Sequence, residues 1–135
     1  VSLTLHLAPD LPHVRGDRVQ LQQVVLNIVL NGLEAMGEPT SRDPALVVRT
    51  TRVGTAAVSV AIADEGKGID PANVDRLFQP LYTTKPDGLG MGLAIARTID
   101  DAHGGELRAF NNPDGGATFE FSLPVDAQPV PRHGT

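Results

Sequence analysis

Apolar and polar residues along the chain follow two spacings, one typical of β-strands and one typical of α-helices. Strict alternation over 2–7 predicts a strand, and a long apolar stretch with recurring amides predicts a helix over 17–36. Asp17 and Gln20 suit a capping box at the start of that helix, and Gly37 suits its end. The same pattern predicts strands over 45–53, 57–64, 106–110 and 117–123, a short helix over 71–78 and a second long helix over 90–102.

The order of these elements indicates the fold class. A strand, a long helix, a hairpin, a second long helix and a second hairpin follow one another. This order predicts an α/β (α+β) two-layer sandwich, in which a mixed, mostly antiparallel sheet of about five strands packs against about three helices. A doubly wound parallel sheet is disfavoured, because strands and helices do not alternate. Residues 1–124 are expected to form one domain, with a frayed tail over 125–135.

Composition excludes several classes of function. The 135 residues carry a net charge of −5 with no basic run, and the chain has no tryptophan and one tyrosine. Binding to nucleic acid is therefore not expected. No stretch reaches the roughly 18 consecutive apolar residues that a membrane span requires, so no membrane contact is expected. The absence of cysteine suits a reducing compartment, which favours a cytoplasmic location for this domain and leaves open a membrane anchor elsewhere in the parent protein. Because the chain opens on Val1 rather than methionine, we expect a piece of a longer protein.

A polar stripe runs along the otherwise apolar helix predicted over 17–36. At about 100° per residue its members fall within a strip roughly 80° wide. One interpretation is an ordinary solvent-exposed face. The other, equally weighted, is a site for a hard cation such as magnesium, because amide and carboxylate oxygens are its preferred ligands. The members of this stripe are Gln20, Gln23, Asn27, Asn31 and Glu34.

A carboxylate closes the apolar face of the strand predicted over 57–64. Asp64 shares that face with Val58 and Ile62 and is followed by Gly66 and Gly68, which allow a close backbone approach. Taken alone, Asp64 suits a cap of the turn that ends the strand. The functional alternative is that Asp64 accepts a hydrogen bond from a ligand, since a buried carboxylate needs a partner. At such a position it would favour the amino group of adenine over the carbonyl oxygen of guanine.

A glycine loop opens the second long helix. Gly88, Gly90 and Gly92 lead into that helix, whose N-terminus offers unpaired N–H groups to an anion. The hydroxyls of Thr83 and Thr84 and the cation of Lys85 lie just upstream, at positions 83–85. The spacing matches neither the Walker pattern nor the dinucleotide fingerprint. A flexible loop with a helix cap remains the alternative.

Taken together and in this order, these features resemble a known family. The segment LQQVVLNIVLNGLEAM is similar to the asparagine box of sensor histidine kinases, and DEGKGI is similar to their first glycine box. LFQPLYTTK resembles the phenylalanine box, GLGMGLAIA the second glycine box, and HGGELRAFNNPDGGATFEFSLP the terminal hairpin. The resemblance, over about 3–123, is to the catalytic ATP-binding domain. It implies the Bergerat fold shared with gyrase-type ATPases, heat-shock chaperones of the ninety-kilodalton class and MutL.

The resemblance implies roles for individual residues. Asn31 would be the ligand of a magnesium ion that bridges the phosphates of ATP, with Asn27 beside it. Asp64 would bind the adenine amino group, and Lys85 would reach the phosphates, so that Asn27, Asn31 and Lys85 would be the catalytic set. The ATP-binding set would be Asn31, Glu34, Asp64, Gly66, Gly68, Ile69, Phe78, Thr83, Thr84, Lys85, Gly88, Leu89, Gly90, Met91, Gly92, Leu93 and Thr118.

The loop between the phenylalanine box and the second glycine box has no regular pattern. We expect residues 79–89 to form a mobile lid that is ordered by phosphates. Phe78 and Tyr82 would pack against it.

Three residues depart from the family's pattern and affect the expected nucleotide affinity more than the fold. Glu65 follows the adenine aspartate where Asn or Thr is commoner, and Gly32 replaces the usual Ala after the second asparagine. Glu34 stands where many of these kinases place a lysine.

The function that the resemblance implies is phosphoryl transfer without efficient hydrolysis. Hydrolysing relatives place a glutamate four residues before the magnesium asparagine, and here that residue is Asn27. An amide cannot act as a general base at neutral pH. No histidine in the chain lies on a predicted helix before an acidic residue. The acceptor histidine is therefore expected on a separate dimerisation domain of the same kinase.

Further partners and alternatives follow from the same resemblance. A response regulator would act downstream, and the isolated domain is expected to be a monomer. Two other functions suit the same fold. One is a nucleotide-responsive binding module without useful catalysis, and the other is a serine kinase of the anti-sigma type.

Overall fold

The computed structural model describes residues 2–37, 44–78 and 92–125, except the side chains of residues 73–75. The predicted long helices are confirmed, as α1 (Arg18–Met36) and, within the described part of the chain, α2 (Gly92–Ala102). The predicted short helix is a 3₁₀ helix, Pro71–Arg76. The predicted strands are confirmed as β1 (Ser2–His6), β2 (Ala45–Val53), β3 (Ala57–Ala63), β4 (Leu107–Asn111) and β5 (Ala117–Pro124).

The strands form one mixed sheet in the order β1-β2-β3-β5-β4. Strand β1 runs parallel to β2, and the other neighbouring pairs are antiparallel. The predicted α/β sandwich with a mostly antiparallel sheet is therefore confirmed. Beyond β5, Val125 still pairs with Val14 and donates its N–H to Ala56. Val125, the first residue of the predicted tail, is therefore paired with its neighbours, and residues 126–135 lie outside the described part.

The core lies between one face of the sheet and the two helices. Val24 and Ile28 of α1 and Ala96 of α2 are fully buried. They pack in one cluster with alternate residues of the strands, because alternate side chains of a strand point to the same face. The strand members of that cluster are Leu46, Ile62, Leu107, Ala117, Phe119, Phe121 and Leu123. Among the described residues, no helix has the length and hydrophobicity needed to cross a membrane.

Helix α1 begins at a side-chain cap and ends at a glycine. Oδ1 of Asp17 accepts from the N–H groups of Val19 and Gln20, at 2.9 and 3.1 Å. This confirms the carboxylate half of the predicted capping box. In the other half, the N–H of Asp17 donates to Nε2 of His103 at 3.0 Å, where Gln20 was the expected acceptor. Gly37 closes the helix with a φ of 60°, a conformation that favours glycine.

His103 connects the beginning of α1 to the end of α2. Its Nδ1 lies 2.8 Å from the carbonyl oxygen of Ile99, while its Nε2 accepts from Asp17. These contacts require a neutral ring with the proton on Nδ1. A Cβ on Gly16 would lie 2.6 Å from the ring, so glycine at that position allows the close approach. His103 is therefore a structural residue that joins the two helix ends.

Asp100 is an ionisable residue on the buried side of α2. Its side chain is 0% exposed, and neither carboxylate oxygen has a hydrogen-bond partner among the described residues. A Cβ on Gly105 would lie 2.7 Å from each oxygen. Burial, reinforced by the negative charge of Asp101, raises the pKa of Asp100 to about 6. Ionised Asp100 is therefore a source of instability in the folded chain.

Candidate nucleotide site

The amide stripe of α1 reaches the first residue of α2. Nδ2 of Asn27 donates to the carbonyl oxygen of Gly92 at 3.2 Å. Since Asp17 contacts His103 at the opposite ends, the two helices are antiparallel. The stripe is therefore more than a solvent-exposed face, because Asn27 holds the exposed N-terminus of α2 against the middle of α1. Asn31 follows one turn later on the same stripe and is half-buried.

Asp64 lies immediately after β3, beneath α1, and is 3% exposed. Its Oδ1 accepts from the N–H of Gly66 at 2.8 Å and from the N–H of Ala117 at 3.2 Å. The first bond is the turn cap that the sequence allowed, and the second joins the carboxylate to β5. A Cβ on Gly32 would lie 3.5 Å from Cβ and 3.7 Å from Oδ2 of Asp64, so this side chain faces the helix.

The two glycines after Asp64 are required by close contacts. A Cβ on Gly66 would lie 2.5 Å from the carbonyl oxygen of Ala35, near the end of α1. The N–H of Lys67 donates to that same oxygen at 3.3 Å. Gly68 has a φ of 80°, which other residues rarely adopt. The first glycine box is therefore held against the C-terminal turn of α1.

Two departures from the family's pattern have structural explanations. The side chain of Glu65 accepts from the N–H of Ala45 at 2.8 Å and so secures the first residue of β2. A Cβ on Gly32 would lie 2.9 Å from the end of the Leu46 side chain, so α1 packs closely on the sheet at this point. The third departure, Glu34, is exposed and lies about one turn beyond Asn31.

The hairpin between β4 and β5 supplies two residues that the sequence did not single out. The side-chain amide of Asn111 makes two hydrogen bonds to the backbone of Ile69, at 2.7 and 2.8 Å. Nδ2 of Asn112 donates to the carbonyl oxygen of Asp64 at 3.2 Å. The only signal for these residues was their position between the strands predicted over 106–110 and 117–123, which does not distinguish them from ordinary turn residues.

Phe78 connects the end of the described 44–78 segment to α2. Its ring meets Phe119 edge to face, with centroids 6.3 Å apart and planes at 84°. The guanidinium of Arg97 lies 5.6 Å from the centroid of the Phe78 ring. Leu93 of α2 and Ile69 also pack against the core. These residues therefore support the walls of the site.

Thr118 is not brought to the cluster around Asp64. It pairs with Ala63, and its neighbour Phe119 points into the core, so the Thr118 side chain lies on the opposite face of the sheet. Its hydroxyl donates to Oδ1 of Asn112. The remaining predicted site residues lie outside the described residues and are Thr83, Thr84, Lys85, Gly88, Leu89, Gly90 and Met91, together with the predicted lid and Tyr82.

Helix α1 sets the distance between the start of α2 and the region around Asp64. Asn27 contacts the start of α2, Gly32 faces Asp64, and Ala35 contacts the first glycine box. At a rise of 1.5 Å per residue, about 8 to 12 Å of helix separates these contacts. The site therefore places the N-terminus of α2 and a buried carboxylate at opposite ends of one helical segment.

The amino-acid sequence is similar to known ATPase domains. The family model described as "Histidine kinase-, DNA gyrase B-, and HSP90-like ATPase" matches residues 16–127. The sensor protein FixL of Bradyrhizobium diazoefficiens is 44% identical over 125 residues, which are 93% of this chain and 24% of that protein. The sensor histidine kinase ZraS of Klebsiella oxytoca is 37% identical, over 99% of this chain and 28% of that protein. The chain spans about a quarter of the length of these curated relatives.

Solved structures show the same architecture. The mycobacterial sensor histidine kinase MprB superposes with a TM-score of 0.79 at 28% identity, over 91% of this chain and 80% of that one. Full-length ShkA in complex with AMPPNP has a TM-score of 0.79 at 25% identity, over 95% of this chain and 26% of that one.

Proposed function

The chain belongs to the histidine kinase-, DNA gyrase B- and HSP90-like ATPase family, and on this premise we propose that it passes the γ-phosphate of ATP to a histidine. The acceptor histidine would lie on a separate dimerisation domain of the same kinase. A response regulator would then receive the phosphate. The observation that carries this proposal is the joint placement of Asp64 and the N-terminus of α2 along α1.

Asp64 supports recognition of the adenine base. Two backbone N–H groups, from Gly66 and Ala117, hold its Oδ1. Such donors stabilise the carboxylate and orient it before any ligand arrives. A buried oxygen acceptor in a set direction suits the amino group of adenine, whereas guanine presents a carbonyl oxygen at the matching place and would be repelled.

The start of α2 supports binding of the phosphates. Gly92 is exposed and begins a helix, where free N–H groups and the helix dipole attract anions. Asn27 keeps this helix end in place through its bond to the Gly92 carbonyl. The amide oxygen of Asn31, half-buried one turn further along, is a suitable ligand for Mg²⁺, which favours oxygen donors together with phosphate oxygens and waters. Bound Mg²⁺ would neutralise phosphate charge.

The residues of this chain would act by positioning. Phosphoryl transfer depends mainly on the alignment of donor and acceptor and on neutralising charge. Asp64 would orient the base, while Asn31 and the N-terminus of α2 would hold the phosphates. Asn27 donates its amide proton to Gly92 and cannot take a proton from water. The chain would thus keep ATP intact until an acceptor arrives.

Replacing Asp64 with Asn tests the proposed base recognition. The change preserves the shape of the side chain but turns one oxygen into a donor, which the amino group of adenine cannot match. We expect ATP binding to weaken by about 1–3 kcal/mol. Calorimetry with ATP and GTP on the parent chain and the variant measures this effect. Equal affinity of the parent for ATP and GTP would contradict the proposal.

A second prediction concerns turnover by the isolated chain. Incubated with γ-labelled ATP and Mg²⁺, it is expected to bind nucleotide yet release almost no phosphate. A general base contributes about 10²–10⁴-fold in rate, and Asn27 stands where hydrolysing relatives have one. Brisk phosphate release, or stable label on His6, His13, His103 or His133, would instead indicate a self-sufficient enzyme.

A further inference from the structure

The segment 65–69, which follows Asp64, contains no helix or strand and is held in place by its surroundings. At its first end, Asp64 is bonded to Gly66 and to Ala117 of β5. In its middle, the N–H of Lys67 donates to Ala35 of α1. Its last residue, Ile69, is held through Asn111. The conformation of this segment therefore depends on a residue that is 42 positions away in the sequence.

Asn111 pairs with Ile69 as a neighbouring strand would. Its Oδ1 accepts from the N–H of Ile69 at 2.7 Å, and its Nδ2 donates to the carbonyl oxygen of Ile69 at 2.8 Å. A side-chain amide has the same donor and acceptor as a peptide group, so it can satisfy both backbone groups at once. The two bonds run in opposite senses and therefore assign the oxygen and nitrogen of the amide.

Gly68 provides the space for this pairing. A Cβ at position 68 would lie 2.9 Å from Oδ1 of Asn111, closer than a side chain tolerates. Gly68 also has a φ of 80°, which turns the chain so that the peptide of Ile69 faces β4. The first glycine box thus contains a glycine that makes room for Asn111.

We propose that Asn111 is a positioning residue for adenine recognition, a role that rests on the proposed function. Asn111 fixes the position of Ile69 and the glycine box at the place where the adenine base would bind. From the same hairpin, Asn112 and Ala117 hold Asp64 through hydrogen bonds. Asn111 affects only the part of the site that would bind the base, because the part that would bind the phosphates is held by the hydrogen bond between Asn27 and Gly92. Loss of Asn111 therefore changes discrimination between bases, beyond any general loss of stability.

Replacing Asn111 with Asp gives the sharpest variant, since the two side chains have the same shape. The variant loses the donor to Ile69 and sets a second oxygen against a carbonyl oxygen. Asn111→Ala removes both bonds and serves as a second variant. For each, we expect ATP binding by the 135-residue chain to weaken roughly tenfold, because two hydrogen bonds to Ile69 are disturbed. GTP binding is expected to change less than about twofold, because GTP does not use the bond to Asp64.

Arg108→Ala is the matched control on the same hairpin. Arg108 is exposed and pairs across β4 and β5 with Glu120, at 2.7 Å between Nε and Oε1, without contacting the glycine box. We expect this variant to keep the ratio of ATP to GTP affinity. Hydrogen exchange of the Ile69 amide, measured without nucleotide, is expected to become faster in both Asn111 variants and to stay unchanged in Arg108→Ala.

The outcomes separate this role from the proposed function. A parent chain that binds no ATP would overturn the proposed function itself. A parent chain that binds ATP and GTP equally would overturn the adenine recognition by Asp64, on which the role of Asn111 rests. A parent that prefers ATP, with Asn111 variants that retain the same preference, would overturn only the role of Asn111. Equal weakening of ATP and GTP binding would also overturn it, since that result indicates a general structural effect.

Discussion

Replacing Asp100 with Asn is expected to raise the free energy of unfolding by about 3 kcal/mol at pH 8. Asp100 is fully buried, and its carboxylate oxygens have no hydrogen-bond partner in the described parts of the chain. Ionisation of this group in the folded state is therefore costly, as its raised pKa of about 6 reflects. Asparagine has the same shape and stays uncharged, so the variant removes the penalty without altering the packing.

The stabilisation should depend on pH in a defined direction. The pKa of Asp100 rises from 3.8 to about 6 on folding, so the folded state binds a proton more tightly than the unfolded state. The parent chain therefore loses stability as pH rises from about 4 to 6, and the full loss persists above that range. The difference between the parent and Asp100→Asn should fall below about 1 kcal/mol at pH 4. Urea unfolding of the parent chain and of Asp100→Asn, from pH 4 to 8, measures this difference in stability.

Asp101 provides the control for this experiment. It neighbours Asp100 on α2 but is exposed, with a loose ion pair to Arg97 at 3.9 Å. Asp101→Asn is expected to change stability by less than about 1 kcal/mol, because exposed ion pairs contribute little and the charge of Asp101 is a smaller cause of the raised pKa of Asp100 than burial is. A constant difference between the parent and Asp100→Asn across the pH range would show that Asp100 is not a buried titrating group.

Replacing Asn31 with Ala is expected to reduce phosphotransfer at least about 100-fold in a kinase that joins this chain to its dimerisation domain. The amide oxygen of Asn31 is the proposed protein ligand of Mg²⁺, and without it the phosphate charge would be poorly neutralised and the γ-phosphate misaligned. The fold should persist, since Asn31 is only half-buried and alanine favours helices. The rate of acid-labile phosphate incorporation measures the loss.

A binding measurement separates the metal from other roles of Asn31. ATP affinity of the parent chain should increase when Mg²⁺ is added, and this increase should be largely absent in Asn31→Ala. Gln23→Ala is the control, because Gln23 belongs to the same stripe on α1 but is exposed and lies one turn before Asn27. Phosphotransfer at the parent rate by Asn31→Ala would show that Asn31 is not the ligand of Mg²⁺.

The core fold could be predicted because its signals are local. The alternation in β1, the apolar stretch of α1 and the cap at Asp17 each involve residues within a few positions of one another. The ordered boxes likewise singled out Asp64, which lies buried beneath α1. Local signals did not show on which face of the sheet the side chain of Thr118 lies. That face follows from the pairing of β5 with β3, which turns this side chain away from Asp64.

What the sequence by itself determined is which segments form helices and strands and which faces of them are apolar, because local hydrogen bonds and side-chain periodicity decide both. Only the tertiary structure decided which polar groups meet. Asn111 bonds Ile69 across 42 positions, and Asp17 bonds His103 across 86. The isolation of Asp100 likewise depends on the elements packed around α2. Such contacts arise from packing between distant segments, and no local pattern encodes them.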